Sequence, residues 1–363
     1  MSKLILHVGP GKCGSTSIQQ FFATLKKPCI QNFHYKLLDP SEITELNCEE
    51  PNKSLLTNFT KRLVADFKKH DILILSHEFL SLCPLAIKNI CLMAKGLQTD
   101  ITIIGYSRKQ SDYLISVYSQ WLFRMPDRVN EAINALDKLE LDSNLFTGLE
   151  RQLIALIIND FITPTLGPES ILDWCNLYTE IHQLAHEMDA TVKCGTLPNK
   201  ESNTPLIQDF CIKSGLTLRC GTDDSVIKEV HNISFNKDII EAINIAVALG
   251  LDVPGPHEGN EIISLLSSKI SPVIKDPSEF LSKLKSYIDT YFFNSNKQLS
   301  KLYGLNETYF SPAKNVSKSE ILDMIATEQR LRSLNYSTII ENNRMLSAKL
   351  IELCIKQTND IKS

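Results

Sequence analysis

Residues 4–18 constrain this chain more than any other segment. Leu4, Ile5, Leu6 and Val8 form a short apolar run, which passes directly into a loop holding Gly9, Gly11 and Gly14 and then into a helical pattern with Ile18, Phe21, Phe22 and Leu25 on one face. Glycine adopts backbone angles closed to other residues, so consecutive N–H groups in such a loop can turn inward as an anion-binding nest. The N-terminus of the following helix adds a partial positive charge at the same point. Lys12 adds a full one. A strand, an anion cradle and a helix are therefore predicted in that order.

The loop does not read as a nucleoside-triphosphate site. That pattern, G-x-x-x-x-G-K-[ST], places lysine after the last glycine, whereas Lys12 precedes Gly14 and is followed by Ser15 and Thr16. Triphosphate enzymes of this kind also hold magnesium with a carboxylate beside the loop. Here the apolar run 72–75 ends in Ser76, His77 and Glu78, and the run 101–104 ends in Gly105, Tyr106, Ser107 and Arg108. Neither puts an aspartate directly after its last apolar residue, and the second ends in a cation.

Lys12, Cys13, Gly14, Ser15 and Thr16, followed by Arg108 with Ser116 eight positions on, resemble the two donor-binding motifs of sulfotransferases that use 3′-phosphoadenosine 5′-phosphosulfate (PAPS). The resemblance implies an α/β fold with a P-loop-like central parallel sheet flanked by helices, here with a helical C-terminal extension. It implies PAPS as donor and no metal. The phosphosulfate loop would be 9–17, with Gly11, Lys12, Cys13, Gly14, Ser15, Thr16 and Ser17 on the donor, and the 3′-phosphate motif 108–116, with Arg108 and Ser116. Segments 209–216, 231–234 and 293–304 resemble pieces of a bacterial branch of carbohydrate-type sulfotransferases. The likeness is firm over 3–122, thinner to about 310, and absent beyond. Cytosolic members carry a tryptophan where Ser17 stands, so the residue that stacks on adenine is not identified.

Sulfuryl transfer develops negative charge on the bridging oxygen, and fixed positive charge aimed there lowers the barrier. Lys12 is the candidate. The attacking hydroxyl or amine must also lose a proton, and the Ser76, His77, Glu78 segment offers two groups. His77 matches the histidine of the cytosolic sulfotransferases in order along the chain. Many carbohydrate-type members use a glutamate instead, which favours Glu78. His77 could equally be a hydrogen-bonded structural histidine, and Glu78 a helix cap. Two other readings stay open: a P-loop kinase acting on a small molecule with ATP and magnesium, and a non-catalytic nucleotide-binding relative.

The chain's 363 residues, 43% of them hydrophobic, suffice for a large α/β domain with an appendage. A net charge of −4 argues against a nucleic-acid or membrane-surface protein, so phosphate recognition must be local. The ten cysteines show no C-x-x-C and no metal-ligand spacing. Scattered thiols, no charged leader and no apolar run of membrane-spanning length lead to the expectation of a cytoplasmic enzyme, in which the sequons at Asn58, Asn232 and Asn306 are chance. Strands are predicted near 3–8, 71–76, 101–106 and 190–195, separated by helical stretches. The long, polar first connection, 27–60, with Pro40 and Pro51, is expected to lie over the donor or acceptor cleft. Residues 124–170, containing Arg124, Arg128, Pro164, Thr165, Gly167 and Pro168, read as an insertion that either shapes the acceptor pocket with Tyr118 and Trp121 or only packs. Residues 1–315 form the expected sulfotransferase domain, helical from 224 apart from a loop at Pro254 and Pro256. Residues 316–363 form an amphipathic helical segment that packs back on the domain or joins a second copy. The expected partner is a small-molecule or glycan acceptor.

Overall fold

The computed structural model describes residues 2–25, 32–162, 171–198, 204–217, 235–253, 255, 260–269 and 278–336. Pro164, Thr165, Gly167 and Pro168, the 231–234 segment with Asn232, Pro254 and Pro256, and the end of the C-terminal segment from 337 lie outside these residues. In chain order the elements are β1 Lys3–His7, α1 Ser15–Thr24, β2 Phe33–Leu37, α2 Pro40–Leu46, α3 Lys53–Phe67, β3 Ile72–Ser76, a 3₁₀ turn Glu78–Leu82, α4 Pro84–Lys95, β4 Asp100–Ser107, α5 Gln110–Tyr118, α6 Pro126–Asp137, α7 Gly148–Ile162, α8 Trp174–Glu187, β5 Thr191–Thr196, α9 Leu206–Ser214, α10 Lys237–Ala248, α11 Asn260–Lys269, α12 Glu279–Tyr303 and α13 Lys318–Leu334.

The strands form one sheet in the order β2-β3-β1-β4-β5, with every adjacent pair parallel. β3 is buried throughout, β1 from Leu4 and β4 from Ile101, the unbroken apolar burial of a parallel sheet covered on both faces. α1 packs against α9 through Phe22 and Phe210, whose ring centroids lie 5.3 Å apart. α3, α4 and α8 form a second row of helices.

From residue 32 on, the 27–60 connection folds into regular elements. It contains β2, α2 and the start of α3. In β2, Phe33 and Tyr35 face α1, with Phe22 centroid distances of 6.0 and 6.1 Å, while Leu37 at the strand end is exposed. Phe33 is buried and the next three residues are half-buried, and the apolar residues alternate with polar ones. Leu25, placed on the α1 face by periodicity, is instead the extended C-cap residue.

The chain divides into two compact units. The first comprises 1–109, 171–231 and 294–310 and holds the sheet; the second comprises 110–170, 232–293 and 311–363. Among its described residues the second unit is helical. Its core includes Tyr118, Phe123 and Ile240, with Ile239, Ile263 and Leu266 forming another cluster. Buried Glu150 receives two hydrogen bonds from Arg332 of α13, at 2.7 and 2.9 Å, and further ones from the Thr147 N–H and the Ser278 hydroxyl. A capping box between Ser317 and Glu320 starts α13. No described helix is long and apolar enough to cross a membrane.

Candidate functional site

Three strand ends of the first unit meet because β1 is paired on both sides. His7 lies opposite Ser76 of β3 and Ile104 of β4. The chain leaves β1 towards one edge of the sheet and β4 towards the other, and ligands of open α/β sheets sit outside the carboxyl ends where such connections diverge. What emerges there is the glycine loop from β1, His77 and Glu78 from β3, and Arg108 from β4.

The loop is bent by two left-handed residues, Lys12 at φ 64° and Gly14 at φ 90°. A side chain at Gly14 would also meet Leu206, whose Cδ2 would stand 2.5 Å from a Cβ. Lysine in this region carries backbone strain of about 1–3 kcal/mol, so the surroundings must hold it. The Cys13 N–H donates to Pro10 O at 3.3 Å, the Ser15 hydroxyl donates to the same carbonyl at 3.3 Å, and Arg108 Nη1 donates to Lys12 O at 3.3 Å. The Trp174 indole N–H holds Arg108 in turn through its carbonyl, at 2.6 Å. Gly14 occupies the N-cap of α1, which therefore has no side-chain cap. Its first N–H groups point towards the loop.

The loop residues named from sequence divide into two kinds. Lys12, Gly11, Thr16 and Ser17 are half-buried, whereas Cys13 and Ser15 are buried. The Cys13 thiol is turned inward, and burial pushes its pKa well up. Cys13 and Ser15 thus hold the loop's shape. Ser116 lies half-buried on α5 in the second unit. Tyr118 belongs to that unit's core, and Arg124 is buried there, its Nη2 donating to Gln120 O and Asn260 Oδ1 at 3.2 and 2.6 Å. Both side chains pack.

Glu78 stands beside Gly11, whose Cβ position would be 3.8 Å from Glu78 Cγ. Burial raises the Glu78 pKa, but a 2.8 Å hydrogen bond from Gln19, its own N–H and the nearby His77 and His7 together bring it below the usual glutamate range. Burial lowers Lys12 to about 8, against the pull of Glu78 and with the push of Arg108. The site therefore gathers two cations, one carboxylate and a helix N-terminus. His77 caps the 3₁₀ turn, its Nδ1 accepting from the Phe79 N–H at 3.0 Å. A neutral His77 then carries its proton on Nε2. Among the described residues no group of three or more His, Cys, Asp or Glu is placed to hold a metal.

Sequence reasoning passed over Gln19, Tyr35 and His7. His7 is fully buried at the end of β1, its Nδ1 2.8 Å from Ser76 Oγ. Burial lowers its pKa to about 4 despite Glu78, so it is neutral near pH 7. Its signal was a lone polar residue ending an apolar run just before the loop. Gln19 gives no such signal: a glutamine on an amphipathic helix reads as surface. No protein-family model, curated protein or solved structure matches the chain significantly.

Proposed function

We propose that this chain is a sulfotransferase that moves a sulfuryl group from PAPS to a hydroxyl or amine of an acceptor, of carbohydrate or glycolipid type. The reading rests on one observation. Lys12, Glu78 and Arg108, nominated from three separate segments, converge on a single glycine loop at the carboxyl ends of β1, β3 and β4. A doubly curled loop, a helix N-terminus and two cations suit a phosphosulfate in charge and in donor chemistry. The P-loop-like character of the sheet belongs to the same proposal.

When bound, PAPS supplies the activated sulfuryl group. Lys12 and the first amides of α1 neutralise charge at the 5′ end, and Arg108 offers a planar pair of donors to a phosphate. Glu78, ionised at neutral pH, accepts the proton that the acceptor O–H or N–H gives up. Lys12 bears its proton below about pH 8, so it can act as a cation at neutral pH. The seven described cysteines are free thiols, six of them buried, which suits a reducing compartment and a cytoplasmic enzyme.

Transfer of radiolabelled sulfate from PAPS to a panel of sugars, glycolipids and amines tests the proposal. Wild-type protein should label at least one acceptor class. Lys12→Ala should lose about 100- to 1000-fold in turnover, and Glu78→Gln about 100- to 10000-fold. Phosphoryl transfer from ATP with magnesium, without sulfate transfer, would replace this reading with that of a kinase.

A further inference from the structure

We infer that Gln19 is a positioning residue for Glu78, and that Ser76 and the buried His7 hold Gln19 in turn. The catalytic meaning of this arrangement rests on the sulfuryl-transfer reading; its geometry does not. Gln19 lies four residues after Ser15, so both look from α1 towards the end of the sheet. Its Nε2 donates to Glu78 Oε2 at 2.8 Å and makes a longer contact of 3.5 Å with Ser76 Oγ. Ser76 Oγ lies 2.8 Å from His7 Nδ1.

The donor is fixed at the Gln19 end of this chain of contacts. An amide nitrogen only donates, so Ser76 Oγ accepts from Gln19, while its bond with His7 Nδ1 runs in the direction the His7 tautomer sets. His7 Nε2 is buried with no hydrogen-bond partner among the described residues. The two bonds from Gln19 are directed, and the shorter ends on a glutamate oxygen that must accept. Protonation of Glu78 at Oε2 would set two donors against each other. Gln19 thereby orients the carboxylate and favours its ionised form.

The other groups facing Glu78 come from each neighbouring segment: Lys12 from the loop, His7 from β1, Tyr35 from β2, and His77 beside it in the chain. Lys12 and His77 favour the ionised form electrostatically. Gln19 differs from them in carrying no charge, so removing it alters geometry and hydrogen bonding without altering the charge of the site.

The test is a carbon-13 NMR titration of glutamate carboxylates in the full chain, with the Glu78 resonance assigned by its loss in Glu78→Gln. Gln19→Leu, similar in size but without a donor, should shift the Glu78 titration upward in pH. Ser76→Ala should shift it in the same direction by less. An unchanged Glu78 titration in both variants would overturn the inference. Binding of 3′,5′-adenosine bisphosphate, measured on the same samples, separates the two levels: retained binding in Gln19→Leu agrees with a positioning role. A shifted titration in a protein that binds no bisphosphate would leave Gln19 as the partner of Glu78 and overturn the donor reading.

Discussion

At the residue scale, Lys12 and His7 show how burial prepares the site. Lys12 releases its proton near pH 8 in the folded protein, while an unfolded lysine keeps it to about 10.4. Between those values the unfolded chain binds more protons, so the depressed pKa costs stability at neutral pH, and that stability is regained as pH rises through this window. A bound anion favours protonated Lys12. Bisphosphate affinity should therefore fall from pH 7 to pH 9, and Lys12→Arg, charged throughout, should flatten the dependence in calorimetric titrations. His7 acts at the other end of the scale. Its pKa falls to about 4 on folding, so its contribution is intact above about pH 6.5 and is lost as pH falls through 4. Urea unfolding at pH 7 and pH 4 should show wild type losing about 3 kcal/mol relative to His7→Gln. The charged loop residues were legible in sequence because lysine and glycine in that order have few other uses. His7 and Gln19 were not, since their roles depend on neighbours that only the sheet register supplies.

At the scale of elements, the cradle depends on how closely β1 and β4 approach. A Cβ on Gly105 would stand 3.1 Å from Gly9 Cα and would run into the Tyr178 hydroxyl. The first of these is backbone and cannot swing aside. Gly105→Ala should destabilise the protein by about 1–3 kcal/mol and weaken bisphosphate binding, because the start of the loop must shift; thermal unfolding with and without the ligand reads both effects. Four of the five strands were legible from apolar runs bounded by turns. β2 was not, because its Phe33, His34, Tyr35, Lys36 and Leu37 alternate apolar and polar residues over only five positions and do not stand out from a polar connection. The helix Ser15–Thr24 followed from periodicity, apart from its last expected residue, Leu25.

At the scale of the whole molecule, the chain passes repeatedly between two units, a division that no composition shift announces. Among the described elements, α12 supplies residues to both, with the boundary at Asn294. In the second unit the bond between Glu150 and Arg332 joins segments 182 residues apart. The Glu150 side chain is only 3% exposed, so Arg332→Ala strands a buried carboxylate and should cost about 3–5 kcal/mol in chemical unfolding. For a molecule of net charge −4, binding a multiply charged anion requires the local field of Lys12, Arg108 and the α1 terminus to prevail over the global one. The most direct measurement is a calorimetric titration of wild type and Arg108→Ala with 3′,5′-adenosine bisphosphate and with AMP, without magnesium. The account predicts that wild type binds the bisphosphate more tightly than AMP, and that Arg108→Ala loses about tenfold to a hundredfold of that affinity. No binding of the bisphosphate, or equal binding of both nucleotides with no effect of Arg108→Ala, would contradict it.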